Sequence, residues 1–398
     1  LIYVRIYYII KSFSDIASES FTLSERDLII PNINQEEEMR PRDVKLALEN
    51  ALDAQKAGFE VQPLFFWGPP GIGKSAVPRE VCKERNLTLI DIRMSLLDPT
   101  DLRGIPAVVD VRCDVCRGTG GEKHDCAVCG GTGIRTVAKW LEPSMLPKGG
   151  EGIVIMDELT SAPPLQQASA YQFTLDRKIG EYELPDDYYI IAAGNNLSDR
   201  AVVYPMSTAL RNRFTHINFE YNLDDWLEWA RNSGINTHIL AFLTWRGSEL
   251  LFNFKPEATD KAFATPRSWH FASRVMEHFS KGIVRELLDG TIGPGAAAEF
   301  SGFMALQEQI PSIQKIFAGE NIVPRDIGLK YALISALVSH AEKAAEFNRL
   351  LDYAMNGLPK EFSVLMAKLL TSKNRVLLTS QPNYMKWAKA HQDVLLYK

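Results

Sequence analysis

The chain has 398 residues, 46% apolar and 23% charged, with a formal net charge of −5, which fits a globular protein of two or three domains. The acidic balance argues against a protein that coats nucleic acid over its whole surface and leaves room only for a local basic patch. Four of the five cysteines fall between positions 113 and 129, which favours a metal site over a disulfide framework and so a reducing, cytoplasmic setting.

Leu1–Ile10 is apolar and aromatic, but it is too short to span a bilayer and is interrupted by Arg5. It has no small-residue cleavage site, so it does not read as a signal peptide. Residues 1–40 are expected to form an N-terminal extension, either disordered or packed as a strand. Asp43–Ala57 then places Val44, Ala47, Leu48, Ala51 and Leu52 at helical spacing and stops at Gly58. Leu64–Trp67 predicts a first strand, and Lys74–Arg85 predicts the helix that follows.

Between that strand and helix lies GPPGIGKS, the eight residues Gly68, Pro69, Pro70, Gly71, Ile72, Gly73, Lys74 and Ser75, with Ala76 next. The pattern G-x-x-x-x-G-K-[ST] in this context predicts a loop whose backbone N–H groups curl around phosphate oxygens at a helix N-terminus. Lys74 would reach the β- and γ-phosphates, and the Ser75 hydroxyl would ligate magnesium. Cys82, alone on the helix, reads as a small buried apolar residue.

Thr88–Ile92 predicts the second strand. An insertion at residues 107–140 follows. Ala107–Arg112 and Ile134–Trp140 have strand composition and read as an antiparallel hairpin, with CDVCRGTGGEKHDCAVCGGTG at its tip. Cys113, Cys116, Cys126 and Cys129 form two C-x-x-C pairs, each followed by glycines. Four thiolates in that arrangement suit tetrahedral zinc and leave no position open for substrate, so the site is expected to be structural. Its binding energy, on the order of 10 kcal/mol, would fold a loop too small to own a core. His124 is an unneeded ligand, expected to be solvated. The repeats are similar to those of DnaJ-type zinc modules, although only two are present.

Gly152–Met156 predicts a third strand, apolar throughout and so buried on both faces. It ends in Asp157, which would hold magnesium through water, and Glu158, which would activate the attacking water. Tyr188–Ala193 predicts the fourth strand, ending in AAGNN with Asn195 at its tip. Thr215–Phe219 predicts the fifth, preceded by Arg211 and Arg213 in ALRNRF. Strands alternating with helices imply an α/β fold: a five-stranded parallel sheet with helices on both faces. Beyond residue 221 helices dominate: Leu223–Arg231, Thr237–Thr244, Ser268–Phe279 and Leu329–Leu351. Trp226, Trp229, Trp245 and Trp269 read as core.

The order GPPGIGKS, IVIMDELTSAPP, AAGN, YPMSTALRNRF, ATPRS resembles an AAA+ ATPase of the MoxR type, within the broader group that includes McrB and dynein-like modules. The resemblance covers residues 41–280. It implies ATP as the nucleotide, Asn195 as sensor 1, Arg213 as an arginine finger with Arg211 the weaker candidate, and Arg267 as the sensor 2 arginine of a helical lid. A finger supplied by a neighbour implies a homo-oligomeric ring, a hexamer by resemblance. It also divides the chain into a nucleotide-binding domain at 41–221, a lid at 222–285 and a helical C-terminal extension at 286–398. In MoxR-like ATPases the interval holding the cysteines carries a hairpin resembling the helix-2 insert, on the axial surface of the ring. The knuckle would then touch a partner or merely cap a long loop. The activity implied is a motor that remodels a protein client, often one with a von Willebrand A domain. Two alternatives are a McrB-like motor serving a nucleic-acid enzyme or phage-defence system, and a nucleotide-gated module that binds through the zinc knuckle. No membrane partner is expected.

Overall fold

The structure is a computed structural model in which residues 38–117, 126–199 and 202–392 are described. The readings of residues 1–37 and of His124 lie outside the described residues. In chain order the α/β part runs β1 (Glu38–Met39), α1 (Pro41–Lys56), β2 (Leu64–Trp67), α2 (Ala76–Arg85), β3 (Thr88–Arg93), α3 (Pro99–Arg103), β4 (Ile105–Arg112), β5 (Ile134–Leu141), β6 (Gly152–Asp157), α4 (Pro164–Asp176), β7 (Lys178–Ile179), β8 (Tyr182–Glu183), β9 (Tyr188–Gly194), α5 (Thr208–Arg211) and β10 (Thr215–Phe219).

Among the described residues the main sheet is parallel with order β1-β10-β2-β9-β6-β3. The five predicted strands are all present. The sixth, β1, pairs Glu38 with Asn218 and Met39 with Phe219, so the last residues assigned to the N-terminal extension join the edge of the sheet.

Alternation along the strands divides the interior into two layers. Phe65, Val154, Met156, Ile190 and Ala192 point to one face, where they pack with Phe173 of α4 and Leu210 of α5. Leu64, Phe66, Ile153, Ile155, Tyr189 and Ile191 point to the other, against Val44 and Leu48 of α1 and Val77 and Val81 of α2. Cys82 is buried in that second layer, and burial pushes its thiol up to about 11, so it packs as an inert apolar residue. Gly152 has to be glycine: a Cβ there would stand 2.1 Å from the Thr88 carbonyl oxygen of the neighbouring strand.

The helical part comprises α6 (Leu223–Asn232), α7 (Thr237–Arg246), α8 (Ser248–Leu251), α9 (Pro266–His278), α10 (Lys281–Ile292), α11 (Pro294–Ala305), α12 (Ile313–Phe317), α13 (Ile327–His340), α14 (Ala344–Asn356), α15 (Lys360–Thr379) and α16 (Pro382–Ala390). One continuous apolar cluster reaches from Trp226 to Trp387, with Trp226 and Trp269 buried in it and Trp229 and Trp245 packed against it. The single helix expected over 329–351 is two, α13 and α14. The Glu346 carboxylate accepts the Lys343 N–H at 2.9 Å and the Glu342 N–H at 2.7 Å, and so caps a new helix start that periodicity alone does not reveal.

Candidate nucleotide site and cysteine cluster

The parallel register brings three strand ends together. Trp67 pairs with Gly194, and Arg93 with Asp157. The segments that leave β2, β6 and β9 therefore emerge at one edge of the sheet, where open α/β sheets bind ligands. These segments are the glycine-rich loop, Glu158 and Asn195.

The loop turns through residues of positive φ, Gly68 at 152°, Gly71 at 81° and Gly73 at 115°. Ala76 and Val77 N–H groups close on the Gly73 carbonyl and start α2. Two of the glycines are also held by contact. A Cβ on Gly68 would lie 2.7 Å from the Phe219 carbonyl oxygen, and one on Gly71 would lie 2.8 Å from Thr265 Oγ1.

Lys74 is buried, and its ammonium donates to Gly68 O at 2.5 Å, Pro69 O at 2.8 Å and Asn195 Oδ1 at 2.9 Å. Burial pulls it down to about 8, against the upward pull of Asp157, Asp199 and Glu158, while Arg267 adds to the lowering. Ser75 Oγ donates to Asp157 Oδ2 at 2.6 Å. A hydroxyl and a carboxylate at that separation are a hard oxygen donor set that suits magnesium. Asp157 Oδ1 also accepts the Glu158 N–H at 2.9 Å.

Glu158 itself sits in the left-handed region at φ 57°, a conformation that side chains avoid unless their surroundings impose it. That turn points its carboxylate to the Ser95 hydroxyl, which donates to Oε2. Ser95 follows β3 and carries no sequence signal of its own. Asp199 is another residue that the sequence did not mark. It accepts the Asn196 N–H at 2.8 Å and lies close enough to Lys74 to affect its charge.

Arg267 reaches the site from the helical part. Thr265 caps α9 reciprocally with Ser268: Oγ1 accepts the Ser268 N–H at 3.0 Å, and Ser268 Oγ accepts the Thr265 N–H at 2.8 Å. Pro266 takes the first helical position, where its missing N–H costs nothing. The cap holds Arg267 against the loop, with its backbone N–H donating to Gly71 O at 3.2 Å and its side chain exposed. The sequence reading began this helix at Ser268; the Thr265 cap starts it two residues earlier, at Pro266.

Arg213 and Arg211 are placed differently. Arg213 sits over the Tyr171 ring with Cζ 3.9 Å from its centroid, and donates to Tyr171 Oη at 2.6 Å and Ala209 O at 2.8 Å. Arg211 is exposed at the end of α5.

The insertion forms the expected hairpin, with β4 and β5 antiparallel from Ile105↔Leu141 to Arg112↔Ile134. At its tip the sulfurs of Cys113, Cys116, Cys126 and Cys129 all lie within 4.8 Å of one another. Cys113 and Cys126 sulfurs are 3.7 Å apart, and Cys116 and Cys129 sulfurs 3.6 Å. Tetrahedral zinc with bonds of about 2.3 Å separates its sulfurs by about 3.7 Å, so the cluster fits that ion. The separations far exceed the disulfide length of about 2.05 Å. The residue after each second cysteine is left-handed, Arg117 at φ 52° and Gly130 at φ 59°, which turns the chain back around the sulfurs. Burial raises the Cys129 thiol, but the Gly133 N–H and the other three thiols together outweigh it and bring it down to about 6, favouring thiolate.

Residues 64–221 match the family model described as ATPase family associated with various cellular activities, AAA. That segment is an AAA ATPase domain of α/β fold with a hairpin insertion, and a helical C-terminal region follows it. No curated protein matches the chain. Among solved structures, the Thermotoga maritima RuvB Holliday junction branch migration motor is 14% identical, covering 74% of this chain and 81% of that one at a TM-score of 0.34. A candidate ATPase from Cytophaga hutchinsonii is 13% identical over 87% of this chain and 88% of its own, at 0.32. A katanin structure concerned with self-assembly is 14% identical over 65% and 79%, also at 0.32. These likenesses are too loose to bear on function. Among the described residues no helix is long and apolar enough to cross a membrane.

Proposed function

We propose that the chain hydrolyses ATP as one subunit of a homohexameric ring and uses the cycle to remodel a protein partner, in the manner of MoxR-like ATPases. The observation that carries this reading is the convergence of Lys74, Ser75, Asp157, Glu158 and Asn195 on one sheet edge, linked by direct hydrogen bonds. The Lys74 ammonium is tied to the loop's own carbonyls and to Asn195, and triphosphate oxygens would replace those acceptors on binding. Ser75 and Asp157 would hold magnesium, which neutralises phosphate charge when bound.

Glu158 is the base that takes a proton from the attacking water. The Ser95 hydroxyl holds its carboxylate, so the base works once that bond is shared or released. Asn195 would orient the water or the terminal phosphate. Arg213 and Arg211 belong to the edge that meets a neighbour, with Arg213 held by the Tyr171 hydroxyl. Residues 222–285 act as the lid, with Arg267 sensing the nucleotide, and 286–398 as its extension. The zinc-tipped hairpin is the contact for the client, a protein with a von Willebrand A domain being the first to try.

Glu158→Gln tests the chemistry. It should keep ATP affinity and lower kcat by about 10²–10⁴, the usual worth of a general base, and so trap ATP. Undiminished turnover in that variant would remove Glu158 as the base, and no turnover in the unmutated chain would sink the proposal.

A further inference from the structure

Thr160 lies two residues beyond Glu158, in the short 3-10 turn Leu159–Ser161, and is 1% exposed. A buried hydroxyl needs partners, and this one finds both on a single residue. It accepts the Asn195 N–H at 3.1 Å and donates to the Asn195 carbonyl at 3.2 Å. The residue before Asn195 is shaped to receive it. A Cβ on Gly194 would stand 2.6 Å from Thr160 Cγ2 and 2.7 Å from its Oγ1. A third tie leaves from the Thr160 backbone, whose carbonyl accepts the Tyr204 N–H at 2.7 Å. One side chain thus grips the tip of β9 from the turn that follows the two acids.

We propose that Thr160 is the positioning residue of Asn195. It fixes the backbone at 195 against the turn carrying Asp157 and Glu158, so that Asn195 Oδ1 stands at the Lys74 ammonium. The inference rests on the reading of this edge as an ATP-hydrolysing site and adds to it a residue that touches no nucleotide. Without the hydroxyl, β9 still pairs with β2 and β6, but the segment after Gly194 loses both bonds that set its height over the acids. A misplacement of about 1 Å can cost a reacting group about 10²-fold in rate while binding persists.

Thr160→Val preserves the shape and removes the hydroxyl, whereas Thr160→Ser keeps the hydroxyl and removes the methyl that fills the space at Gly194. In the full chain, Thr160→Val should lower kcat for ATP by about tenfold to hundredfold with ATP affinity unchanged. Its Asn195 amide should exchange hydrogen faster than in the unmutated chain. Thr160→Ser should keep kcat within about twofold even where its melting temperature falls. Wild-type kcat in Thr160→Val, or equal rate losses in both variants that track their melting temperatures, would overturn the proposal. The ATPase reading fails separately, through absence of ATP turnover in the unmutated chain. The Asn195 amide exchange then still decides whether Thr160 holds Asn195.

Discussion

Lys74 is the residue whose chemistry is most altered by its surroundings. Burial brings its ammonium down to about 8, so near neutral pH it is charged but poised to lose its proton. Triphosphate binding favours the charged form. Below about pH 8 the free and bound states are both protonated and ATP affinity should be flat. Above it the free protein must take up a proton to bind, and affinity should fall by about tenfold per pH unit. Titration calorimetry in buffers of different ionisation enthalpy would detect that proton uptake. A pH-independent Kd between about 7 and 9.5 would show that Lys74 does not carry the phosphate contact. The residues around Lys74 were legible to different degrees. Gly68 to Ser75 form a contiguous motif, because phosphate binding needs consecutive backbone N–H groups. Ser95 and Asp199 were silent, because each acts through a contact with a residue distant in sequence or through a turn of common composition.

At the scale of elements, the hairpin tipped by the four cysteines is an almost separate piece of structure. Among the described residues its two strands pair only with each other, and Ile105, Val108, Ile134 and Trp140 remain exposed along it. Two strands without a core are marginal in water, so the cluster at the tip has to supply what a third strand would. Stripping metal with a thiol-competitive chelator should therefore make residues 107–140 sensitive to protease while leaving ATP affinity within about twofold. Equal protection with and without chelator would mean that the hairpin stands without metal. The composition of the flanking segments was sufficient to predict the hairpin, and the spacing of the cysteines to predict that four sulfurs meet at its tip. The left-handed Arg117, by contrast, was not readable, because arginine carries no signal for that conformation.

For the whole molecule, the question is what completes the site. The share of the helical part is visible. Thr265 packs against Gly71, and Arg267 lies at the loop through a backbone hydrogen bond. The arginines before β10 have no such place, since Arg213 sits over Tyr171 and Arg211 is exposed. In a ring they would serve the adjacent subunit. Arg213→Ala should keep ATP binding and lose about 10³-fold or more in kcat. Mixing it with Glu158→Gln subunits should restore part of the activity, because an intact base can then meet an intact finger. No recovery on mixing, together with full activity of the Arg213→Ala protein alone, would remove the arginine from the mechanism.

The sequence by itself determined the strands, the glycine-rich loop, the two acids at the end of β6 and the cysteine cluster. Each of these is written in consecutive residues or in a short period that backbone geometry reads locally. Only the tertiary structure decided that Glu38 and Met39 extend the sheet, that residues 329–351 break into two helices, that Ser95 holds Glu158 and that Thr160 grips Asn195. Those outcomes depend on which strand ends the parallel register aligns and which capping contacts win, and both are settled by packing between residues far apart in the chain.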